Sequence, residues 1–153
     1  MKHYRLKNNQ QHAGGFTDLF VLTHADLTET TDNTAQAIVL TALDIGDVVF
    51  PNMLLEVVTN ASGGSVSTCT GSVGVTGALT QFIGNSNLLS AGNEYFAPAN
   101  TVAPYVCVAG SINVEANFIP DSGHDLEDLT AGEFWVWACI SRSGERALVK
   151  QAA

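Results

Sequence analysis

No lysine or arginine occurs between Asn8 and Ser141, although that stretch carries fourteen Asp and Glu residues. The six basic side chains lie at the ends: Lys2, Arg5 and Lys7, then Arg142, Arg146 and Lys150. Phosphate contact needs surface cations, so nucleic-acid binding by the body of the chain is excluded. Charge of either sign is scarce, at 14% of residues against about 25% in an average globular chain. A surface so poor in charge is neutral and polar, or is hidden in an assembly. No apolar run approaches the roughly 18 residues that a membrane span needs. The basic N-terminus, MKHYRLKNNQQHAGG, has no apolar core of a secretory signal. Both absences lead to the expectation of a soluble protein, made or assembled in the cytosol, with no membrane partner.

Cysteine is sparse too. Cys69, Cys107 and Cys139 are spaced by 38 and 32 residues, which fits no zinc pattern. Each falls in an apolar run, so the expectation is three buried thiols acting as small hydrophobes. No Gly-x-Ser-x-Gly turn, phosphate-binding glycine loop or Asp-x-Asp-x-Asp-Gly calcium loop is present. No catalytic residue, cofactor or metal site is expected, and the chain is not read as an enzyme.

What is present is strand-like. Gly132–Ser143 (GEFWVWACISRS) places Phe134, Val136, Ala138 and Ile140 on one face and Trp135, Trp137 and Cys139 on the other. With both faces apolar, this strand belongs in the middle of a sheet, or has one face in the core and the other against a partner. Further strands are expected at 16–23, 35–43 and 47–59, the last interrupted by Pro51-Asn52 at a bulge or an edge. Others are expected at 66–76, 104–109 and 111–119, the last two pairing across Gly110 or a slightly wider turn. The cleanest alternation puts Ile112, Val114, Ala116 and Phe118 inward and Asn113, Glu115 and Asn117 outward. Residues 79–83 and 87–89 read as short helical turns. At 153 residues one core suffices. The fold class is therefore all-β: an antiparallel sandwich, jelly-roll-like, over residues 16–150, with residues 1–15 as an extended N-terminal arm.

Candidate sites each have a plainer reading. Asp121–Asp128 (DSGHDLED) has oxygen ligands for Ca²⁺, yet reads better as a solvated acidic loop. His24 and Asp26 lack a nucleophile turn. Trp135 and Trp137 would suit a sugar platform, or packing in the core or at an interface.

Two stretches, HADLTETTDNTAQAIVLTALDIGDVV (residues 24–49) and LTAGEFWVWACI (residues 129–140), together resemble small β-rich virion proteins of tailed bacteriophages that decorate or cement the capsid. In that group a Thr/Asp-rich loop leads to a Thr-Ala-Gln strand and an acidic Gly-Asp turn, and a Gly-Glu strand closes the domain. The resemblance implies a non-enzymatic structural protein of the virion, with the major capsid protein as partner and a homo-oligomer, trimer favoured. From the basic leader and the two apolar faces of residues 134–140, the expected interface comprises Lys2, Arg5 and Lys7 with Phe134, Trp135, Val136 and Trp137. The alternative is a carbohydrate- or receptor-binding sandwich module of a phage fibre or spike.

Overall fold

A computed structural model describes residues 1–6, 15–97, 103–121 and 123–144. Lys7, Arg146, Lys150 and most of the expected arm lie outside the described residues. Ten strands are described: β1 (Lys2–Arg5), β2 (Asp18–Thr23), β3 (Gln36–Leu43), β4 (Val48–Ser62), β5 (Cys69–Val75), β6 (Ala78–Asn87), β7 (Glu94–Phe96), β8 (Tyr105–Val106), β9 (Ile112–Pro120) and β10 (Ala131–Ser141). They form two antiparallel sheets packed as a sandwich. One runs β1-β2-β10-β4-β7, with β8 also on β4; the other runs β3-β9-β5-β6. Apart from β1 and β8, the pairing is nested: β2 with β10, β3 with β9, β4 with β7, and β5 with β6. The chain is thus paired as one long hairpin folded over itself.

β10 is central, hydrogen-bonded to β2 and β4. Its residues Phe134, Val136, Ala138 and Ile140 are 0–1% exposed. They meet the second sheet across the core, where the rings of Phe134 and Phe118 stand 5.5 Å apart and tilted. Phe20, Leu22, Leu55, Val57, Val73 and Val114 fill in around them. Burying each such side chain contributes about 1.5–3 kcal/mol, which is what holds two thin sheets together. Phe134 and Val136 are therefore core residues and leave the expected interface.

Three local expectations are corrected. Residues 79–83, read as a helical turn, lie within β6, whose hydrogen bonds to β5 override a weak local pattern. Asn87 ends that same strand and Leu88-Leu89 follow it as loop, so no helical turn forms there. Residues 104–109 and 111–119 do not pair across Gly110: β8 joins β4 in one sheet, while β9 joins β3 and β5 in the other. Gly110 marks a crossing between layers. By contrast, the bulge at Pro51 is present. Between the pairs Leu54–Trp137 and Phe50–Cys139, β4 uses four steps where β10 uses two.

The expected N-terminal arm also needs redrawing. Lys2–Arg5 is not extended leader but the outermost strand of the larger sheet, with Tyr4 opposite Leu19 and Arg5 opposite Asp18. Among the described residues no helix is long and apolar enough to cross a membrane.

Candidate functional site: the outer face of the larger sheet

The sheet register sets which residues share this face. One row across the strands is Lys2, Val21, Trp135 and Glu56; the next is Tyr4, Leu19, Trp137, Leu54 and Phe96. Trp135 and Trp137 are half-buried, with ring centroids 5.9 Å apart in an edge-on contact. Each indole has its polar atom satisfied. Trp135 Nε1 donates to Glu133 Oε1 at 2.7 Å, and Trp137 Nε1 donates to Glu56 Oε2 at 3.2 Å. Phe16, itself buried, packs 6.0 Å from Trp137. Part of the cover that the apolar odd face of β10 required thus comes from the chain itself.

Beside Trp135 the face hollows. The short side chains of Leu19 and Val21 lie between the longer ones of β1 and β10, leaving a groove of about 640 Å³. Lys2, Tyr4, Glu133 and Trp135 form its sides. A smaller hollow of about 180 Å³ continues it past Lys2 toward Thr23 and Asp26.

The far edge of the same sheet is different in kind. Phe96 on β7 and Val106 on β8 are 60% and 49% exposed, opposite Leu54 and Val48 of β4, and Ile45 and Val108 near β8 are 66% and 78% exposed. Phe50, opposite Cys139, adds to this edge. β8 and the Asp44–Asp47 turn are linked by hydrogen bonds between Gly46 and Cys107 and between Cys107 and Asp47.

Beneath β1 lies a charge cluster that sequence reasoning missed. The Asp18 side chain is completely buried, on the same face as Phe20 and Leu22. Arg142 Nη2 donates to its Oδ1 at 2.8 Å, His3 Nε2 lies 2.8 Å from that oxygen, and Arg5 Nε lies 3.9 Å away. Thr17 Oγ1 donates to Oδ2 at 2.6 Å. The His3 ring also stacks on Phe20, 4.3 Å between centroids. So two of the terminal cations, one from each end of the chain, are used inside the domain. The available signal was an acid at an inward position of a strand, in a chain whose cations all lie at its ends.

The other candidates are structural. Asp26 caps the 3-10 turn His24–Asp26, its carboxylate accepting from Thr23 N at 2.9 Å and Thr23 Oγ1 at 3.2 Å. Asp121 ties the acidic loop to the entry of β5, accepting from Ser67 N at 2.8 Å, from the Ser67 hydroxyl, and from Thr68 N at 3.3 Å. His124 Nδ1 is 2.9 Å from its other oxygen. The Ser67 hydroxyl bond is the main reason that the Asp121 carboxyl is held down at about 2. Among the described residues no three His, Cys, Asp or Glu side chains converge as a metal set would. Cys69 and Cys107 are buried, whereas Cys139 is only half-buried on the outer face, short of the full burial expected for all three.

No family model matches the chain, and no curated protein or solved structure matches it.

Proposed function

We infer that this chain is a non-enzymatic structural protein of a tailed-phage virion, decorating or cementing the capsid by packing the β7–β8 edge of its larger sheet against neighbours. The observation that carries this reading is the exposed apolar edge formed by Ile45, Phe50, Phe96, Val106 and Val108. An edge that exposes several large apolar side chains is a candidate for protein contact. Low overall charge suits a subunit with much of its surface covered. The nested strand pairing supports a jelly-roll reading of the sandwich, and the resemblance of residues 24–49 and 129–140 points to the capsid as the neighbour.

On this reading the partners are the major capsid protein and further copies of the chain, most simply as a homotrimer with closed symmetry. The protein resides on the virion after assembly in the host cytoplasm. The apolar edge takes the contact; Lys2 and the groove beside it lie at the other side of the sheet. Electron cryomicroscopy of the particle tests this. Density of the sandwich on the shell, with β7 and β8 turned toward a neighbour, supports it; a shell bare of this domain refutes it.

A further inference from the structure

The groove between β1 and β10 has a construction that the capsid contact does not use. β1 and β10 lie two strand spacings apart, roughly 9.5 Å. Between them, the aliphatic floor of Leu19 and Val21 is flanked by Tyr4 and Lys2 on one side and by Trp135 on the other. The trough runs along the strands and continues past Lys2 into the second hollow, which shares Lys2, Val21 and Glu133 with it. Its shape therefore fits a chain better than a compact small molecule.

The charges narrow the occupant. In a protein of net charge −9, the Lys and Arg residues among those described are Lys2, Arg5 and Arg142; the last two are turned to Asp18 on the inner face, and Lys2 stands on the face of this trough. The Lys2 ammonium makes no ion pair or hydrogen bond among the described residues. Glu133 is held by the indole of Trp135 through Oε1, and its Oε2 accepts from no described donor. The site thus offers aromatic sides, one cation for an anionic group and one fixed acceptor for a hydroxyl.

The geometry points to an acidic polysaccharide as the ligand of this trough, a chain of uronate-type sugar rings. A pyranose ring can lay its C–H face on Trp135 or Tyr4, give a hydroxyl hydrogen to Glu133 and place its carboxylate at Lys2. A peptide fits less well. Lying on the face of a sheet and not along its edge, its backbone N–H and C=O groups would be pressed unpaired against Leu19 and Val21. This assignment is separate from the apolar edge at β7 and β8, which lies on the opposite side of the sheet.

The test uses the full-length protein with alginate and polygalacturonate as probes, dextran as the neutral polymer and polyglutamate as the acidic peptide. Both tryptophans of the chain, Trp135 and Trp137, lie on this face, so their fluorescence reports occupancy. The expected result is saturable quenching by the two uronate polymers that weakens with salt, with dextran binding at least about tenfold more weakly. Lys2→Gln should bring the uronate polymers down to the level of dextran. Trp135→Ala should weaken them by about tenfold. Tyr4→Ala, at an exposed position of the edge strand, should do the same and does not depend on how Trp135→Ala folds. Absence of uronate binding, equal binding of dextran, tighter binding of polyglutamate, or indifference to both Lys2→Gln and Tyr4→Ala would each overturn the assignment.

Discussion

Arg142, just beyond the last strand, reaches back across 124 positions to donate to the buried carboxylate of Asp18 at 2.8 Å. The pair fastens the C-terminal end of β10 to the start of β2. Arg142 supplies a partner to a carboxylate in the core, where an unpaired charge is costly. Losing one partner of such a pair costs about 3–5 kcal/mol. His3 and Arg5 remain beside Asp18, so Arg142→Met should fall near the low end, about 3 kcal/mol. Urea unfolding of the two proteins checks this. Asp18→Asn, which removes the charge and keeps the shape, should cost less than Arg142→Met.

Gly74 sits in the hairpin between β5 and β6, where a Cβ would stand 2.0 Å from the carbonyl oxygen of Ala78. That neighbour is backbone and cannot swing away. Gly74→Ala should therefore shift the β5–β6 pairing and destabilise the fold by about 1–3 kcal/mol. Gly84→Ala, where nothing lies within 4 Å, is the matched control and should be close to neutral. Thermal melting of both variants separates these outcomes.

The thiols should react in a fixed order. Burial pushes the Cys69 thiol up to about 12, with the Asp121 charge adding to it. Burial, then the charge of Asp18, also raises Cys139, yet its side chain reaches the outer face. Native-state labelling with a thiol reagent should modify Cys139 slowly, and Cys69 and Cys107 only on unfolding. Fast labelling of Cys69 would remove it from the core.

Acid should release the loop at Asp121. Its folded-state carboxyl is depressed from the ordinary 3.8 to about 2, first by the Ser67 hydroxyl and then by the Ser67 amide and His124. A depressed carboxyl contributes stability that is present above its unfolded value and is lost as pH falls through its folded value. The stability gap between the parent protein and Asp121→Asn should thus be constant above about pH 5 and close between pH 4 and 2. Denaturant unfolding at a series of pH values measures it. A gap that widens in acid would contradict the assigned hydrogen bonds.

Much of the fold was legible because its strands advertise themselves through period-two burial. β10 shows this most clearly: the even residues from Phe134 to Ile140 are core and the odd ones face out. The expected strands at 16–23, 35–43 and 111–119 match β2, β3 and β9 within two residues. What was illegible is long-range. β6 carries Gly84, Asn85 and Ser86 in an edge strand, so its own residues hold little signal and its partner β5 decides. The crossing at Gly110 looks locally like a hairpin turn; only packing sends its two arms to different sheets. Of the site, Trp135 and Trp137 were visible as an outward pair. The groove beside them depended on β1 being a strand, which a polar stretch such as KHYR does not announce. Likewise, Arg5 and Arg142 read as free terminal charge because nothing local ties them to Asp18.

The central claim, that the apolar edge seats this domain on a capsid, is tested most directly by titrating purified protein onto shells assembled without it. Bound copies per shell are counted by cosedimentation. Phe96→Asp combined with Val108→Asp replaces two of the most exposed apolar side chains of that edge and touches no core residue. The account expects saturable, high-copy binding of the parent protein and its loss in the double variant, with the fold of both intact by circular dichroism. No binding of the parent protein at micromolar concentration, or equal occupancy by the double variant, would contradict it.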